Sequence, residues 1–143
     1  MVLYTKRRQA NCENKDEYNY EIKKKQQLFI DKAAEIAKYS TMQQKHGAVI
    51  VPKNKIIGYG FNYMNNHLND NHSIHAEVAA ICKVFKNKEI LEECDIYVVR
   101  IASAKFNNCL KMSKPCEKCT NFINKYNIRK IYYSTNYEFD IKY

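Results

Sequence analysis

The chain has 143 residues, the size of one domain, with 45% hydrophobic and 27% charged residues and only three Gly and two Pro. A domain of this length buries roughly 70% of its unfolded surface without disulfides, and the composition excludes a disordered, collagen-like or low-complexity protein. The net charge of +9 fits a nucleic-acid partner, but an AT-rich genome would produce the same excess of Lys, Asn, Ile and Tyr.

The expected location is intracellular and cytoplasmic. No apolar run approaches the roughly 18 residues of a membrane span, so no membrane association is expected. The first residues lack the apolar segment of a signal peptide, and Glu13 and Asp16 argue against a transit peptide. In a reducing compartment the six cysteines are expected to be metal ligands or buried thiols rather than disulfides.

The first half of the chain predicts a helix followed by a β-hairpin. Residues 1–20 are polar and are interpreted as a lead-in to a single domain over residues 21–143. Apolar residues at helical spacing predict a helix over 21–38. Two apolar runs, 47–51 and 55–61, are separated by a short Lys-rich turn and predict two antiparallel strands.

The middle of the chain predicts a loop and a second helix. Residues 62–72 are rich in Asn and His, which favours a loop. Ser73 is the expected N-cap of a helix over residues 74–85.

The second half predicts a central strand, a helix and two final strands. The run 95–101 is a strand, and the polar stretch 102–114 leads to a helix over 115–126 with Pro115 in its first turn. Strands are predicted over 129–134 and 137–143. The link between them is so short that this last pair is expected to be antiparallel.

The stretch SKPCEKC, residues 113–119, contains two candidate metal ligands. Cys116 and Cys119 are three residues apart, so both thiols lie on one face of a helix, and a helix N-terminus lowers the pKa of a thiol. A single CxxC pair is weak evidence because it also occurs in redox sites. Zinc held by this pair needs a third ligand, and His75 is the natural candidate. Three protein ligands leave a fourth position open, which is typical of a catalytic rather than a structural zinc site.

Glu77 is the candidate proton carrier. It lies two residues after His75 at the predicted helix start, where its carboxylate can take a proton from a zinc-activated water and pass it to a leaving amine. The histidines His46, His67 and His72 are interpreted as solvated loop residues rather than further ligands.

The combination His75-Ala76-Glu77 with Pro115-Cys116-Glu117-Lys118-Cys119 resembles the zinc signature of the cytidine and deoxycytidylate deaminase superfamily. The stretch 46–62 is also similar to the first hairpin of that superfamily. The resemblance implies a three-layer α/β/α sandwich around a mixed five-stranded sheet and a Zn²⁺ cofactor. It further implies substrate contacts at Asn62 and Ala76, and a homo-oligomer.

Two departures from the family pattern leave the substrate open. The segment 102–114 is inserted before the Pro-Cys motif and can form a lid, and the expected antiparallel ending resembles deaminases of free cytidine. A small cytosine nucleoside or nucleotide, of the cytidine, deoxycytidine, CMP or dCMP type, is the favoured substrate. A polynucleotide, either tRNA adenosine or single-stranded cytosine, is the first alternative. A non-catalytic zinc-stabilised binding module is the second.

Overall fold

A computed structural model describes residues 2–5, 24–67 and 70–135. The strands in chain order are β1 (Val2–Thr5), β2 (Lys45–Val51), β3 (Gly58–Phe61), β4 (Tyr63–His67), β5 (Asp70–Ile74), β6 (Asp95–Ile101), β7 (Leu110–Lys111) and β8 (Lys130–Ser134). The helices are α1 (Lys24–Ala37), α2 (Ala76–Lys83), α3 (Lys88–Leu91) and α4 (Glu117–Lys125), with short 3₁₀ turns at Phe85–Asn87 and Ala104–Phe106.

The main sheet has the strand order β1-β8-β6-β2-β3, and the short β7 pairs with the end of β6. Strand β8 runs parallel to both β1 and β6, whereas β2 is antiparallel to β6 and β3. The sheet is therefore mixed. Strands β4 and β5 form a separate antiparallel hairpin.

Side chains alternate between the two faces of the sheet, as the two-residue period of a strand requires. Val49 and Val51 of β2 pack on the face covered by α1, together with Tyr97 and Val99 of β6. Helix α1 contributes Phe29, Ile30, Ala33 and Ala37 to this cluster.

The opposite face is covered by α2 and α4. Ala48 and Ile50 of β2 pack there with Ala80 and Ile81 of α2 and with Ile123 of α4. Gly60 of β3 lets α2 approach closely, because a Cβ at this position would lie 2.5 Å from the backbone nitrogen of Ala80. This close packing fixes the helix that carries the His-Ala-Glu motif.

The predicted three-layer α/β/α sandwich around a mixed five-stranded sheet is confirmed. The expected helices over 21–38, 74–85 and 115–126 and the strands over 47–51, 55–61, 95–101 and 129–134 all exist, with ends that differ by up to three residues. Among the residues that the structure describes, no helix has both the length and the apolar character needed to cross a membrane.

The loop predicted over residues 62–72 is wrong, because most of this segment forms the β4–β5 hairpin. Most of its described side chains are exposed, so it carries no apolar alternation by which a strand is recognised. The expected cap at Ser73 is also wrong. Ser73 pairs with Met64 inside the hairpin, and His75 occupies the N-cap position of α2.

The fifth strand of the main sheet is β1, which the sequence did not predict. It lies within the segment interpreted as a polar lead-in and pairs with β8 from Val2 to Thr5. The predicted strand over 137–143, and with it the expected antiparallel ending, lies outside the described residues. On both of its sides, β8 has a parallel neighbour.

Candidate metal centre and active site

His75 lies where the β4–β5 hairpin meets α2. It has extended backbone angles, φ −75° and ψ 153°, and its carbonyl accepts the first hydrogen bond of the helix from the Ala79 N–H at 3.0 Å. Its imidazole is exposed, whereas the next residue, Ala76, is fully buried. The helix start therefore holds the ring at the protein surface in a fixed position.

Cys116 is the N-cap residue of α4, and Cys119 lies in the first turn of the same helix. The Cys116 carbonyl accepts a hydrogen bond from the Thr120 N–H at 2.8 Å. Pro115, which precedes the cap, cannot donate a backbone hydrogen bond, and its fixed φ favours this sharp entry into the helix. Cys116 is exposed, and Cys119 is 2% exposed.

The three predicted ligands come together. The Sγ of Cys119 lies 3.2 Å and the Sγ of Cys116 lies 3.7 Å from Nδ1 of His75. All the ligand atoms of this group lie within 4.8 Å of one another. Zn–S and Zn–N bonds of about 2.3 and 2.1 Å place the ligands of a tetrahedral zinc roughly 3.5–3.8 Å apart. One nitrogen and two sulfur donors at these separations fit Zn²⁺.

The Cys119 thiol carries an electrostatic cost that the sequence did not suggest. Burial and the nearby Glu77 carboxylate raise the pKa of this thiol well above its ordinary value, so its helix-start position alone does not produce a thiolate. Zinc binds the thiolate, and metal binding at this site therefore releases a proton.

Glu77 lies beside the ligand group and is 4% exposed. Burial raises the pKa of its carboxyl group, against the opposing effects of its own backbone N–H, of His75 and of a hydrogen bond with Cys119. A carboxyl group with a raised pKa keeps a proton at a pH where an exposed glutamate has lost it. Such a group is suited to accept and return protons near neutral pH.

A cavity of about 430 Å³ opens over this cluster. Its described lining consists of Met42, Gln43, Gln44, His46, Asn62, Ser73, His75, Ala76, Glu77, Ser113, Lys114 and Cys116. Small-molecule sites typically measure about 300–1,000 Å³. The cavity brings together five of the six predicted site residues: Asn62, His75, Ala76, Glu77 and Cys116.

Asn62 is 7% exposed, and its side chain is engaged in the fold. Its Oδ1 accepts a hydrogen bond from the His46 N–H at 2.9 Å, and its Nδ2 donates to the Gln44 carbonyl at 2.7 Å. The amide retains one further N–H and one lone pair. The Asn62 side chain therefore holds the backbone at the start of β2, and it can still form a further hydrogen bond in the cavity.

Sequence reasoning missed several lining residues. Met42, Gln43 and Gln44 precede β2, and Ser113 and Lys114 end the segment 102–114. His46, interpreted as a solvated loop residue, lies in β2, and burial lowers the pKa of its imidazole. No local pattern marks these residues, because only the tertiary fold brings them together. Neither His46 nor His72 belongs to the described metal-ligand group.

The fold is shared with solved deaminases. The dCMP deaminase of the cyanophage S-TIM5 matches with a TM-score of 0.58 and 21% identity over 77% of this chain and 82% of that one. The cytidine deaminase of Burkholderia pseudomallei matches with a TM-score of 0.56 and 18% identity over 73% and 79% of the two chains. The guanine deaminase of Bacillus subtilis gives 0.52 and 23% over 76% and 63%.

A comparison with curated protein sequences finds no match. The family is shown instead by a match to a family model. Residues 23–135 match the family model described as the cytidine and deoxycytidylate deaminase zinc-binding region, a span that holds His75, Glu77 and both cysteines. The family model describes a zinc-binding region, and the geometry of the His75, Cys116 and Cys119 group fits zinc, so both indicate the same metal. The chain therefore belongs to the cytidine and deoxycytidylate deaminase superfamily.

Proposed function

We propose that the protein is a zinc-dependent hydrolytic deaminase that converts a cytosine nucleoside or nucleotide to its uracil product and releases ammonia. The observation that carries this proposal is the position of Glu77. A buried carboxyl group with a raised pKa lies beside a ligand set that fits zinc, and both face one cavity. A purely structural zinc site has no use for that carboxyl group.

In this proposal His75, Cys116 and Cys119 hold the metal. Zinc, when bound, supplies the Lewis acid that makes a water molecule nucleophilic near neutral pH. Glu77 accepts the proton that the attacking water releases and delivers it to the ring nitrogen next to the aminated carbon. The second proton comes from the hydroxyl group that the water has left on the ring carbon. It passes through Glu77 to the exocyclic amine, which leaves as ammonia, while the water oxygen stays on the base as the carbonyl oxygen.

The rest of the cavity has to hold and orient the base and its sugar. Asn62 keeps one amide hydrogen and one lone pair for a sugar hydroxyl, and the buried Ala76 belongs to the lining of the same cavity. The cyanophage neighbour was also solved in complex with dCMP and dUMP, and the Burkholderia neighbour is a cytidine deaminase. Substrates of this class suit a cavity of about 430 Å³.

One feature favours the alternative of a polynucleotide substrate. Tyr39 and Tyr63 are 68% and 41% exposed, and each lies about 6 Å from the ring of Phe61. Exposed aromatic rings are surfaces on which unpaired bases stack. A net charge of +9 would add non-specific attraction to such a strand.

The deciding experiment measures ammonia release by the purified zinc-loaded protein. The substrates are cytosine, cytidine, deoxycytidine, CMP, dCMP, single-stranded DNA and tRNA. We expect turnover of at least one cytosine nucleoside or nucleotide, and turnover lower by at least about 10²-fold for Glu77→Gln. Deamination of single strands with no monomer accepted would support the alternative. Zinc binding without turnover of any substrate would indicate a non-catalytic module.

A further inference from the structure

We propose that Lys114 binds the 5′-phosphate of the substrate, so that the enzyme prefers cytosine nucleoside monophosphates to free nucleosides. This inference rests on the function proposed above and specifies its substrate. It starts from the charges in the lining of the cavity. Of the described lining residues, Lys114 is the one that carries an ammonium group.

The two charged groups of the described lining differ in exposure. Glu77 is 4% exposed and lies with the metal ligands, whereas Lys114 is exposed. The reacting base has to lie near Glu77. In a nucleoside monophosphate the phosphate group is at the far end from the base and carries about −1.5 to −2 charges at pH 7. A lysine ammonium is a common point-charge partner for phosphate.

The backbone around Lys114 is held from both sides. Its neighbour Ser113 is anchored by three hydrogen bonds. Its Oγ donates to the Val98 carbonyl at 2.8 Å and accepts the Ser134 N–H at 2.8 Å, and its N–H donates to the Ser134 carbonyl at 2.9 Å. Its Oγ also lies 2.8 Å from Ser134 Oγ. On the other side Pro115 is buried, and its carbonyl accepts the Thr120 hydroxyl at 3.4 Å. Only the Lys114 side chain has to be ordered on binding, which lowers the entropic cost.

Lys114 is also not neutralised by the protein. In the described part of the chain no carboxylate lies within ion-pair distance of its ammonium, whereas Lys32 is paired with Glu35 at 3.1 Å. An ammonium group with no carboxylate at ion-pair distance can attract an anion. The neutral groups of Gln43 and Ser73 in the same lining can donate further hydrogen bonds.

The first test compares kcat/KM for CMP and dCMP with that for cytidine and deoxycytidine. The zinc-loaded wild type is measured beside Lys114→Ala, Lys114→Arg and the control Lys105→Ala, whose side chain is exposed and outside the cavity lining. For Lys114→Ala we expect a loss of about tenfold with monophosphates and less than about twofold with nucleosides. Arginine should restore most of the loss, and the control should behave like the wild type. An equal loss with both substrate classes, or no loss, overturns the inference.

The second test does not depend on turnover. Calorimetric titration of the zinc-loaded Glu77→Gln variant with dUMP and deoxyuridine gives the contribution of the phosphate. We expect tighter binding of dUMP, and a difference that disappears when Lys114→Ala is added and shrinks with salt. Equal affinities, or a phosphate preference that survives Lys114→Ala, overturn the inference.

The two proposals can fail separately. If no monomer is deaminated, the proposed function fails, and the dUMP titration still decides the role of Lys114. If cytidine is deaminated as fast as CMP, the function stands and the inference fails. A short single-stranded DNA that is deaminated faster than dCMP, with the same dependence on Lys114, would assign this lysine to a phosphodiester and overturn the monophosphate preference.

Discussion

The Sγ of Cys119 lies 3.2 Å from Nδ1 of His75, although 44 residues separate them in the chain. The contact exists because α2 and α4 cover the same face of the sheet and both begin at the same end of the domain. The ligand group is thus set by the packing of two helices. Because a folded chain offers this site and an unfolded chain does not, zinc binding adds to the free energy of unfolding.

Replacing Cys119 with alanine is expected to abolish stoichiometric zinc. The variant keeps one nitrogen and one sulfur donor, and two ligands do not hold zinc against a chelator at neutral pH. Elemental analysis of the purified proteins should give one zinc per chain for the wild type and less than about 0.2 for the variant. Cys82→Ala is the matched control, since Cys82 is exposed and outside the ligand group.

The same pair of variants tests the link between metal and stability. A chelator should lower the melting temperature of the wild type and of Cys82→Ala, and leave that of Cys119→Ala unchanged. Full zinc occupancy in Cys119→Ala would show that the metal is bound elsewhere.

Glu77→Gln is expected to keep zinc and the fold and to lower kcat by at least about 10²-fold, since the amide has nearly the same shape but neither accepts nor releases a proton near neutral pH. Turnover on the active substrate is measured with the zinc content of the same sample. A second readout is the pH profile of the wild type. Burial raises the pKa of Glu77, and Glu77 must be deprotonated to accept the proton of the attacking water. The acidic limb of kcat/KM, where activity rises with pH, should therefore lie above the range of an exposed glutamate. Undiminished kcat in the variant would move proton transfer to another residue.

The sequence predicted the core of the molecule because each buried element carries its own signal. The run Asp95–Ile101 is apolar enough to identify a central strand. The start of α4 was predicted by Pro115 and by the spacing of Cys116 and Cys119. The metal site was predicted because both motifs begin a helix, and the spacing of the two cysteines places both thiols on one face of α4. In these places the local pattern and the tertiary fold agree.

The parts that sequence reasoning missed lack such a signal. The β4–β5 hairpin is exposed, so its pairing depends on backbone hydrogen bonds that leave no apolar period. Strand β1 is four residues long, and its position beside β8 is a long-range contact. Of the segment 102–114, expected to form a lid, only Ser113 and Lys114 line the cavity among the described residues, because β7 folds back onto β6. Such contacts are properties of the whole fold.

Asn62→Ala is expected to lower stability as well as to raise KM. It removes both side-chain hydrogen bonds of Asn62 and leaves the His46 N–H and the Gln44 carbonyl without this partner, which costs roughly 1–3 kcal/mol for a buried group. Urea unfolding measures the stability, and steady-state kinetics at a temperature well below unfolding measures KM. Asn66→Ala is the control, because Asn66 is exposed on β4. A change in KM with unaltered stability would mean that these two backbone bonds contribute little.

Ser134→Ala is expected to destabilise the protein by about 1–3 kcal/mol, because several buried polar groups lose a partner. Ser134 Oγ donates to the Lys111 carbonyl at 2.7 Å, accepts the Arg100 N–H at 3.1 Å and contacts Ser113 Oγ at 2.8 Å. It thereby joins β7, β6 and β8 where β8 ends. Urea unfolding is compared with that of Ser103→Ala, whose exposed side chain makes no capping hydrogen bond. Equal midpoints for the two variants would contradict this role.

Cys94 is expected to resist alkylation far more than Cys82. Its side chain is fully buried, and its thiol donates a hydrogen bond to the Ile90 carbonyl at 3.0 Å. Burial, with smaller effects from Asp95 and Glu93, raises the pKa of the Cys94 thiol to about 11. Alkylation requires the thiolate, so at pH 8 the Cys94 rate should be at least about 100-fold below that of the exposed Cys82.

Mass spectrometry of iodoacetamide-treated protein, read peptide by peptide against time, gives both rates in one sample. The sign of the pH dependence follows from the raised pKa: the Cys94 rate should keep rising between pH 8 and about 11, where an ordinary thiol of pKa about 8.5 has already levelled off. Labelling in denaturant is the control, because unfolding removes the burial and should make the two rates equal. A Cys94 rate at pH 8 that matches Cys82 in the folded protein would show that α3 opens readily and exposes this side of the core.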